Sequence, residues 1–421
     1  LASHLLGFVG MDNKGLEGIE LAYEGDMKGE EGWLILERDA LGRDIFPSNN
    51  NYKSPSSGRD LYLTIDEVIQ YITEKELVNG VERWRAKSAI AIVMNPRTGE
   101  ILAMGVRPEF NPNIIGNYKP YDWRNRAITD LYEPGSTFKV ISAAAALEEG
   151  VARVGDLFDC SRGEIEVGGK VMRDAHRHGV LSFTEVIQKS SNIGAIQIGM
   201  KLGKERFYKY IKAFGFGEKT GIDLPGESPG KVRVPKEWSG TSIGAVSIGQ
   251  EIAVSPLQIL AAFSAIANDG NLMKPYIVSE VRDNEGLVIK SFTPQVVRKV
   301  ISENTSKRLT EILKTVVEEG GTATKAAIQG NLVAGKTGTA QKTDPETGSY
   351  SNERYVSSFV GYLPAEDPKI SIIVVVDEPK GAIYGGSVAA PIFKEIAEQV
   401  LTYLKIPMME EDRTVFLSNV Q

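Results

Sequence analysis

The stretch that most constrains this chain is residues 132–147, which read YEPGSTFKVISAAAAL. A Pro-Gly pair interrupts regular structure, and a later glycine ends the apolar run that follows it. This order of signals predicts a turn that leads into a helix with a buried body. Ser136 falls in the first helical turn and Lys139 follows three residues later, so both side chains lie on one face of the helix.

A serine hydroxyl is a weak nucleophile until a base removes its proton, and a neutral amine can act as that base. The amine stays neutral only where burial or a second cation lowers its pKa from about 10.4. The Ser-x-x-Lys pattern also fits a capping serine beside a solvated lysine, and chance produces it about twice in a chain of this length. Ser228-Pro229-Gly230-Lys231 repeats the spacing. Proline and glycine prevent a helix there, so we interpret this second copy as a loop.

Length and charge limit the remaining possibilities. A chain of 421 residues is long enough for a large core, which we expect to be divided into two units. The formal net charge of −7 argues against a nucleic-acid partner. Cys160 is the only cysteine, so no internal disulfide can form, and the redox compartment stays open. The chain has no apolar run of membrane-spanning length and begins with Leu1, so we expect a fragment or processed form that lacks its anchor.

The first part of the chain is expected to form its own small unit. Residues 18–29 and 34–46 are interpreted as short strands between glycine turns. The mixed charges at residues 37–44 fit either a solvated hairpin edge or a binding face. Residues 48–58 are rich in Ser, Asn, Pro and Gly, so we place the boundary there. The N-terminal unit with its linker is therefore expected at residues 1–58 and the main domain at residues 59–421.

The pattern of the main domain predicts an α+β fold. A strand at 61–66 should end in Asp66, which caps a helix from 67 to about 84. Strands at both chain ends and helices between them indicate one antiparallel sheet closed by the terminal segments. The further strands are expected at 88–94, 101–106, 331–342, 356–362 and 369–376, and the further helices near 183–202, 255–268 and 391–404.

Two more motifs stand out. Ser190-Ser191-Asn192 interrupts an apolar helical pattern with three polar residues, which favours a function, although a cap between two helices also explains it. Lys336-Thr337-Gly338-Thr339 begins a period-two run that suits a sheet edge. Its glycine would let a ligand backbone approach, and its cation and hydroxyls suit a free carboxylate. Lys219-Thr220-Gly221 repeats the tripeptide among glycines and prolines, so we interpret it as a loop.

In this order, Ser-x-x-Lys, Ser-x-Asn and Lys-Thr-Gly form the motif set of penicillin-binding proteins and class A β-lactamases. The chain resembles the class B penicillin-binding proteins, which are membrane-anchored D,D-transpeptidases. The resemblance covers nearly the whole chain. The chain departs from the family in two features: the membrane anchor is missing, and the N-terminal domain that the family uses as a pedestal is short. Besides the three motifs, the segments that carry it are residues 37–43, 63–66, 95–100, 132–139, 221–227, 248–258 and 384–391.

The resemblance implies the fold of the penicillin-binding and serine β-lactamase-like enzymes: an antiparallel sheet with flanking helices and an all-helical subregion. Residues 1–58 would be a truncated pedestal of the dimerisation type. The implied activity is cross-linking of peptidoglycan stem peptides that end in D-Ala-D-Ala, through a serine acyl-enzyme that releases D-Ala and that β-lactams also form. No metal or other cofactor is expected, since His176-Arg177-His178 lacks further ligands at suitable spacing.

The resemblance also implies a location and partners. The catalytic domain would lie outside the bacterial cell membrane, beside a polytopic membrane wall polymerase and other division or elongation proteins. The segment 248–256 is more similar to division-type members.

The resemblance assigns roles to eight residues. Among the catalytic residues, Ser136 is the nucleophile and Lys139 its base. Ser190 is a proton relay, and Lys336 is a second cation that keeps the base neutral. The substrate-binding ones hold an amide or the terminal carboxylate: Asn192, Thr337, Gly338 and Thr339. The backbone N–H groups of Ser136 and Thr339 are the expected oxyanion hole.

Three alternatives remain open. A class A β-lactamase needs a carboxylate that activates a deacylating water, typically in a Glu-x-x-Leu-Asn segment, and this chain has no Leu-Asn dipeptide. A D,D-carboxypeptidase differs only in its use of water as the acceptor, which the motifs do not exclude. A catalytically silent sensor would keep the fold without the chemistry, yet every expected reactive residue is present.

Overall fold

The computed structural model of the protein describes residues 1–45, 52–344 and 347–407. The described α-helices are α1 Ser3–Leu6, α2 Gly18–Ala22, α3 Glu24–Met27, α4 Glu67–Trp84, α5 Pro120–Trp123, α6 Arg126–Thr129, α7 Lys139–Glu148, α8 Phe183–Gln188, α9 Asn192–Leu202, α10 Lys204–Ala213, α11 Ser242–Ser247, α12 Pro256–Ala267, α13 Glu303–Thr315 and α14 Gly385–Tyr403. Short 3₁₀ helices lie at Ile115–Asn117, Gly135–Phe138, Pro235–Glu237 and Thr324–Ala326.

The described strands are β1 Phe8–Val9, β2 Gly15–Glu17, β3 Trp33–Leu34, β4 Glu37–Arg38, β5 Asp44–Ile45, β6 Tyr52–Lys53, β7 Asp60–Leu63, β8 Ser88–Met94, β9 Ile101–Arg107, β10 Leu157–Asp159, β11 Glu164–Val167, β12 Lys170–Arg173, β13 Val180–Ser182, β14 Asn271–Met273, β15 Val278–Arg282, β16 Val288–Ser291, β17 Val296–Lys299, β18 Ala334–Thr343, β19 Tyr350–Leu363 and β20 Ile370–Asp377.

A five-stranded antiparallel sheet forms the centre of the fold, with strand order β18-β19-β20-β8-β9. Every residue of β8 is buried, which requires helices on both faces of the sheet. Helices α4 and α14 pack against each other and against the sheet, while α12 packs on β8, β19 and β20. β18 pairs only with β19, so its other side is an edge of this sheet, and it carries the 336–339 motif. The predicted α+β fold with one sheet closed by the chain ends is confirmed.

Short-range signals in the sequence predicted the bounds of several elements correctly. Helix α4 begins and ends as predicted, because the Asp66 side chain accepts hydrogen bonds from the backbone N–H groups of Val68 and Ile69. The largest deviations from the predicted bounds are at the starts of two elements. β19 begins at Tyr350, well before the expected residue 356. Helix α14 already begins at Gly385, and Pro391 lies inside it, beyond the first turn. A proline there cannot donate the usual helical hydrogen bond, which is why the sequence suggested a later start.

The strand prediction for residues 18–29 is wrong, because the short helices α2 and α3 occupy that segment. The short strands expected over 34–46 are confirmed where the chain is described, and β4 pairs with β5 as a hairpin. Of the expected linker, residues 48–51 lie outside the described residues, and β6 follows them, paired with β3.

The N-terminal segment is joined to the main domain by apolar and polar contacts. Ala2 and Leu5 are buried in the same hydrophobic core as the central sheet. The Tyr23 hydroxyl donates to Asp223 over 3.0 Å, and Asp26 accepts from Lys290 over 2.8 Å. β7, which follows this segment, completes a three-stranded sheet with β15 and β16. These contacts fix the segment on the side of the domain that carries β15.

Candidate active site

A tight turn presents Ser136 at the start of α7. Gly135 adopts a left-handed φ of 55° and opens the 3₁₀ helix Gly135–Phe138, which runs directly into α7. Residues i and i+3 eclipse each other in a 3₁₀ helix, so Ser136 and Lys139 share one face, as predicted. Lys139 is fully buried, whereas Ser136 lines a cleft of about 570 Å³.

Two other glycines let neighbouring segments approach this turn. The Gly135 N–H donates to the Gly249 carbonyl oxygen over 3.1 Å, and Gly249 has a φ of 77°. A Cβ atom on Gly249 would lie 2.1 Å from the Gly135 carbonyl oxygen. At Gly338 a Cβ atom would lie 2.3 Å from the Ser358 Oγ and 3.0 Å from the Pro134 carbonyl oxygen. The structure therefore gives Gly338 a packing reason, whereas the sequence suggested that a ligand approaches there.

The polar triplet at 190–192 breaks the expected helix into α8 and α9. Ser190 lies between them with a φ of 59°, a conformation that is costly for a non-glycine residue. The Ser191 hydroxyl accepts from the Gly194 N–H over 3.1 Å and caps α9. The interpretation as a cap between two helices is confirmed, and this cap turns Ser190 and Asn192 toward Lys139. The functional interpretation of the triplet stays a prediction.

The Ser190 side chain lies between two buried ammonium groups. Lys139 Nζ donates to the Ser190 carbonyl oxygen over 2.6 Å, to the Ser190 Oγ over 3.3 Å and to the Asn192 Oδ1 over 2.7 Å. From the opposite side, Lys336 Nζ donates to the Ser190 Oγ over 2.9 Å. The structure thus brings the three motifs together at one hydroxyl group.

Burial changes the acidity of both lysines. Desolvation lowers the pKa of Lys139 to about 7, and the Asp174 carboxylate opposes this change. Desolvation also lowers the pKa of Lys336 well below its usual value, and the charge of Lys139 lowers it further. Both lysines therefore give up a proton more easily than an exposed lysine does. The role of Lys336 as the cation that keeps Lys139 neutral stays a prediction.

The edge strand supplies hydroxyl groups to one wall of the cleft. Thr337 and Thr339 both line it. The hydroxyls of Thr322 and Thr337 share a hydrogen bond of 2.9 Å, and the Thr339 Oγ1 accepts from the Gly385 N–H over 3.1 Å. These contacts hold both threonine side chains in place, and the Thr337 Oγ1 also accepts from Lys336 Nζ over 3.3 Å.

Sequence reasoning missed two carboxylates. Glu133 lines the cleft and accepts from the Tyr350 hydroxyl over 2.9 Å and from the Glu251 N–H over 2.9 Å, and burial raises its pKa. The sequence shows no Glu-x-x-Leu-Asn segment and suggested no other candidate base for a deacylating water, and Glu133 corrects the second part of that expectation. Asp174 accepts from the Ser191 hydroxyl over 2.8 Å. Glu133 lay inside the highlighted stretch, but no sequence signal pointed to Asp174.

The two repeated motifs lie away from the cleft. The segment Ser228-Pro229-Gly230-Lys231 is outside every described helix, as predicted. In the Lys219-Thr220-Gly221 copy, Glu227 accepts from the Thr220 N–H and hydroxyl, each over 2.6 Å, and so closes a loop. His176 lines the cleft. Within the described ranges, no cluster of three or more His, Cys, Asp or Glu residues is arranged to hold a metal ion.

This combination of a central antiparallel sheet, a Ser-x-x-Lys turn and a Lys-Thr-Gly edge strand defines an active-serine, penicillin-recognising fold. Residues 89–398 match the family model described as the penicillin binding protein transpeptidase domain, and residues 2–63 match the penicillin-binding protein dimerisation domain. The chain therefore belongs to the penicillin-binding proteins and has the two-domain arrangement of class B, which confirms the resemblance.

Curated relatives and solved structures agree with this assignment. The chain is 42% identical over 410 residues to stage V sporulation protein D of Bacillus subtilis, covering 96% of this chain and 63% of the relative. It is 33% identical over 409 residues to a probable peptidoglycan D,D-transpeptidase PenA of Neisseria meningitidis, covering 96% and 68%. Penicillin binding protein 3 of Mycobacterium tuberculosis in complex with ampicillin is 30% identical with a TM-score of 0.88, covering 98% of this chain and 90% of that one.

The chain spans 63% of the length of the Bacillus relative and 64% of that of penicillin-binding protein PbpB from Mycolicibacterium smegmatis. Among the described helices, none combines the length and the apolar character needed to cross a membrane.

We predict that the space around the Ser136 turn, and not φ alone, makes glycine necessary at 249. Gly150→Ala adds a methyl group at a φ of 65° with no atom within 4 Å, so it should cost about 1 kcal/mol of unfolding free energy. Gly249→Ala adds the same strain and a clash with Gly135, so it should cost about 3 kcal/mol or more. Denaturant unfolding of both variants measures this difference. Equal losses would contradict the packing described here.

Proposed function

We propose that the chain is a peptidoglycan D,D-transpeptidase that cross-links stem peptides through a serine acyl-enzyme and is a target of β-lactams. The observation that carries this proposal is the Ser190 hydroxyl, which bridges Lys139 and Lys336 in the cleft that holds Ser136. The Neisseria relative, a probable peptidoglycan D,D-transpeptidase, and the ampicillin complex of the Mycobacterium protein support the same chemistry.

In the first step the terminal D-Ala carboxylate would bind the hydroxyls of Thr337 and Thr339 and the Lys336 ammonium group. Its negative charge favours the protonated form of Lys336. The proton held by Lys139 would then pass through the Ser190 Oγ to Lys336, over the two hydrogen bonds that already exist. This transfer leaves Lys139 neutral at the moment when its basicity is needed.

Neutral Lys139 would take the proton of the Ser136 hydroxyl while the Ser136 Oγ bonds to the penultimate D-Ala carbonyl carbon. The backbone N–H groups of Ser136 and Thr339 would stabilise the oxyanion by about 3 kcal/mol each. When the C–N bond breaks, the proton that Lys139 took from Ser136 would pass through Ser190 to the departing D-Ala amine, which leaves Lys139 neutral again. An amine of a neighbouring stem peptide then attacks the acyl carbon, and the proton it loses returns to Ser136. Asn192 would hold the substrate amide during both steps.

The setting of this activity is part of the same proposal. Residues 1–58 would be the pedestal and linker and residues 59–421 the transpeptidase domain, placed outside the bacterial cell membrane. A polytopic membrane wall polymerase would supply the glycan strands, together with other division or elongation proteins. We favour a role in division because of the segment 248–256. The 42% sequence identity with stage V sporulation protein D makes spore formation the alternative.

One observation favours a second candidate, a β-lactamase. Glu133 places a carboxylate of raised pKa in the cleft, where it could activate a deacylating water. Its Oε1 already accepts from Glu251, and the Tyr350 hydroxyl is shared between its two oxygens. We therefore assign Glu133 to holding the Ser136 turn against β19. A D,D-carboxypeptidase would differ only in its acceptor, so the ratio of cross-linked to trimmed peptide in the presence of an amine separates it from a transpeptidase.

We predict that penicillin adds one covalent equivalent to the chain, on Ser136. Intact-mass spectrometry and peptide mapping measure the number and position of the adducts. Ser136→Ala should abolish labelling. Ser228→Ala removes the serine of the second Ser-x-x-Lys copy and should label like the unmodified chain. Label on the peptide that contains Ser228 would refute the choice between the two copies.

Lys336→Ala should slow acylation by penicillin at least about 100-fold, because it removes both the carboxylate contact and the acceptor of the Lys139 proton. The matched control is Lys219→Ala, which changes the same tripeptide in the loop closed by Glu227 and should leave the rate within about twofold. Stopped-flow or gel-based labelling with a fluorescent penicillin gives both rates. Similar rates for the two variants would contradict the role of the edge strand.

The penicilloyl-enzyme should persist for many minutes to hours, which corresponds to a deacylation barrier of at least about 22 kcal/mol. A transpeptidase excludes water and retains the acyl group until an amine arrives. Pulse labelling followed by a chase with unlabelled drug measures the lifetime, and Glu133→Gln should not lengthen it. Loss of label within seconds, together with a longer lifetime in Glu133→Gln, would establish a β-lactamase with Glu133 as its base.

A further inference from the structure

Asp174 reaches the active-site turn from the segment between β12 and β13. Its carboxylate accepts from the Ser191 hydroxyl over 2.8 Å, from the Ile193 N–H over 3.2 Å and from the Asn192 N–H. The first N–H groups of a helix have no partner within the helix, so this carboxylate caps α9 from a distant part of the chain. The capped residues directly follow Ser190, whose left-handed backbone needs support from its surroundings.

The same segment orients the partner of Lys139. The Asn192 Nδ2 donates to the Arg173 carbonyl oxygen over 2.8 Å, which leaves the Asn192 Oδ1 to accept from Lys139 Nζ over 2.7 Å. Lys139 also donates to the Ser190 carbonyl oxygen. Both strong partners of the Lys139 ammonium group therefore depend on the contacts made by Arg173 and Asp174.

The charge of Asp174 also acts on Lys139. Asp174 is the carboxylate whose charge stabilises the Lys139 ammonium group, and it opposes the lowering of that pKa by burial. Among the described residues, the other titratable and charged groups of this region are Lys336 on β18, Cys160 beside Ser191, and those that line the cleft, namely Glu133, His176, Lys189, Tyr355 and Tyr384. Burial raises the pKa of Cys160, which keeps that thiol neutral, and burial also raises the pKa of Glu133.

We propose that Asp174 is a positioning residue with two effects on the acylation step. Its carboxylate holds the Ser190–Asn192 turn against Lys139, and its negative charge stabilises the protonated form of Lys139. The substrate carboxylate at Lys336 then draws this proton away through Ser190 and releases the base only when the cleft is filled. This inference rests on the proposed function of Ser136 and Lys139.

The sign of the charge effect is testable. The second-order rate constant of acylation reports the protonation state of the free enzyme. It should fall as the pH rises above the pKa of Lys139, because the proton that must pass to Lys336 is then absent. Without the Asp174 charge, Lys139 loses its proton more easily. In Asp174→Asn the midpoint of the pH profile should therefore move to lower pH, by more than about half a unit. The plateau rate should also fall about tenfold because the turn is less well held.

Asp223 provides a matched control away from the cleft. It accepts from two consecutive backbone N–H groups, those of Ile277 and Val278, over 2.8 and 2.9 Å, and from the Tyr23 hydroxyl over 3.0 Å. Asp223→Asn therefore removes a carboxylate with the same kind of partners. It should lower thermal stability as Asp174→Asn does, but leave the midpoint and the plateau of the pH profile unchanged.

The experiment measures acylation by a fluorescent penicillin from pH 5 to pH 9, with thermal unfolding of each variant. Asp174→Ser, which also removes the charge, replaces Asp174→Asn should the latter not fold. Asp174→Glu keeps the charge, so its plateau should fall while its midpoint stays. An unchanged midpoint in the neutral variants, or an equal shift in Asp223→Asn, overturns the inference about Asp174. If the unmodified chain is not acylated at all, the proposed function itself fails.

Discussion

The arrangement on which this structure depends is a pair of lysine ammonium groups buried on either side of one serine hydroxyl. Lys139 and Lys336 are both fully buried, and the Ser190 Oγ accepts from each. Two like charges at such a separation repel each other by about 3 kcal/mol even at an effective dielectric constant of about 20. Desolvation adds to this cost, so the pair holds one proton far more easily than two. An amine that is neutral near pH 7 is a direct result of this packing.

Three separate parts of the chain must meet to create that pair, and a different structural feature positions each part. The 3₁₀ turn brings Lys139 in from α7 and needs Gly249 beside it. The antiparallel register places Lys336 on the edge strand, opposite Val360. The break between α8 and α9 inserts Ser190 between the two amines. A change in any one of these three features moves a buried charge that water does not screen. The packing of these segments and the pKa values of the two lysines are therefore coupled.

What the sequence could predict follows from the range of the interactions involved. The bounds of α4 and the shared face of Ser136 and Lys139 depend on neighbours within one helical turn, and both were predicted correctly. The helices α2 and α3 were taken for strands, because tertiary contacts decide the conformation of such short, glycine-rich segments. The partners of Asp174 lie 17 to 19 residues away, and Tyr350 lies 217 residues from Glu133. Contacts of that separation leave no periodic signal in the sequence.

The two copies of Lys-Thr-Gly show why a motif needs its surroundings. In the copy at 219–221, Glu227 binds the threonine and the glycine, and the segment is a loop that closes on itself. At 336–338 the lysine is fully buried and faces a second amine. The same three residues thus form a structural turn in one place and supply a lysine of lowered pKa in the other. Only the tripeptide is identical: the flanking residues already distinguish a loop at 219–221 from a strand at 336–338. The burial of Lys336 and the amine that lies opposite follow from the fold.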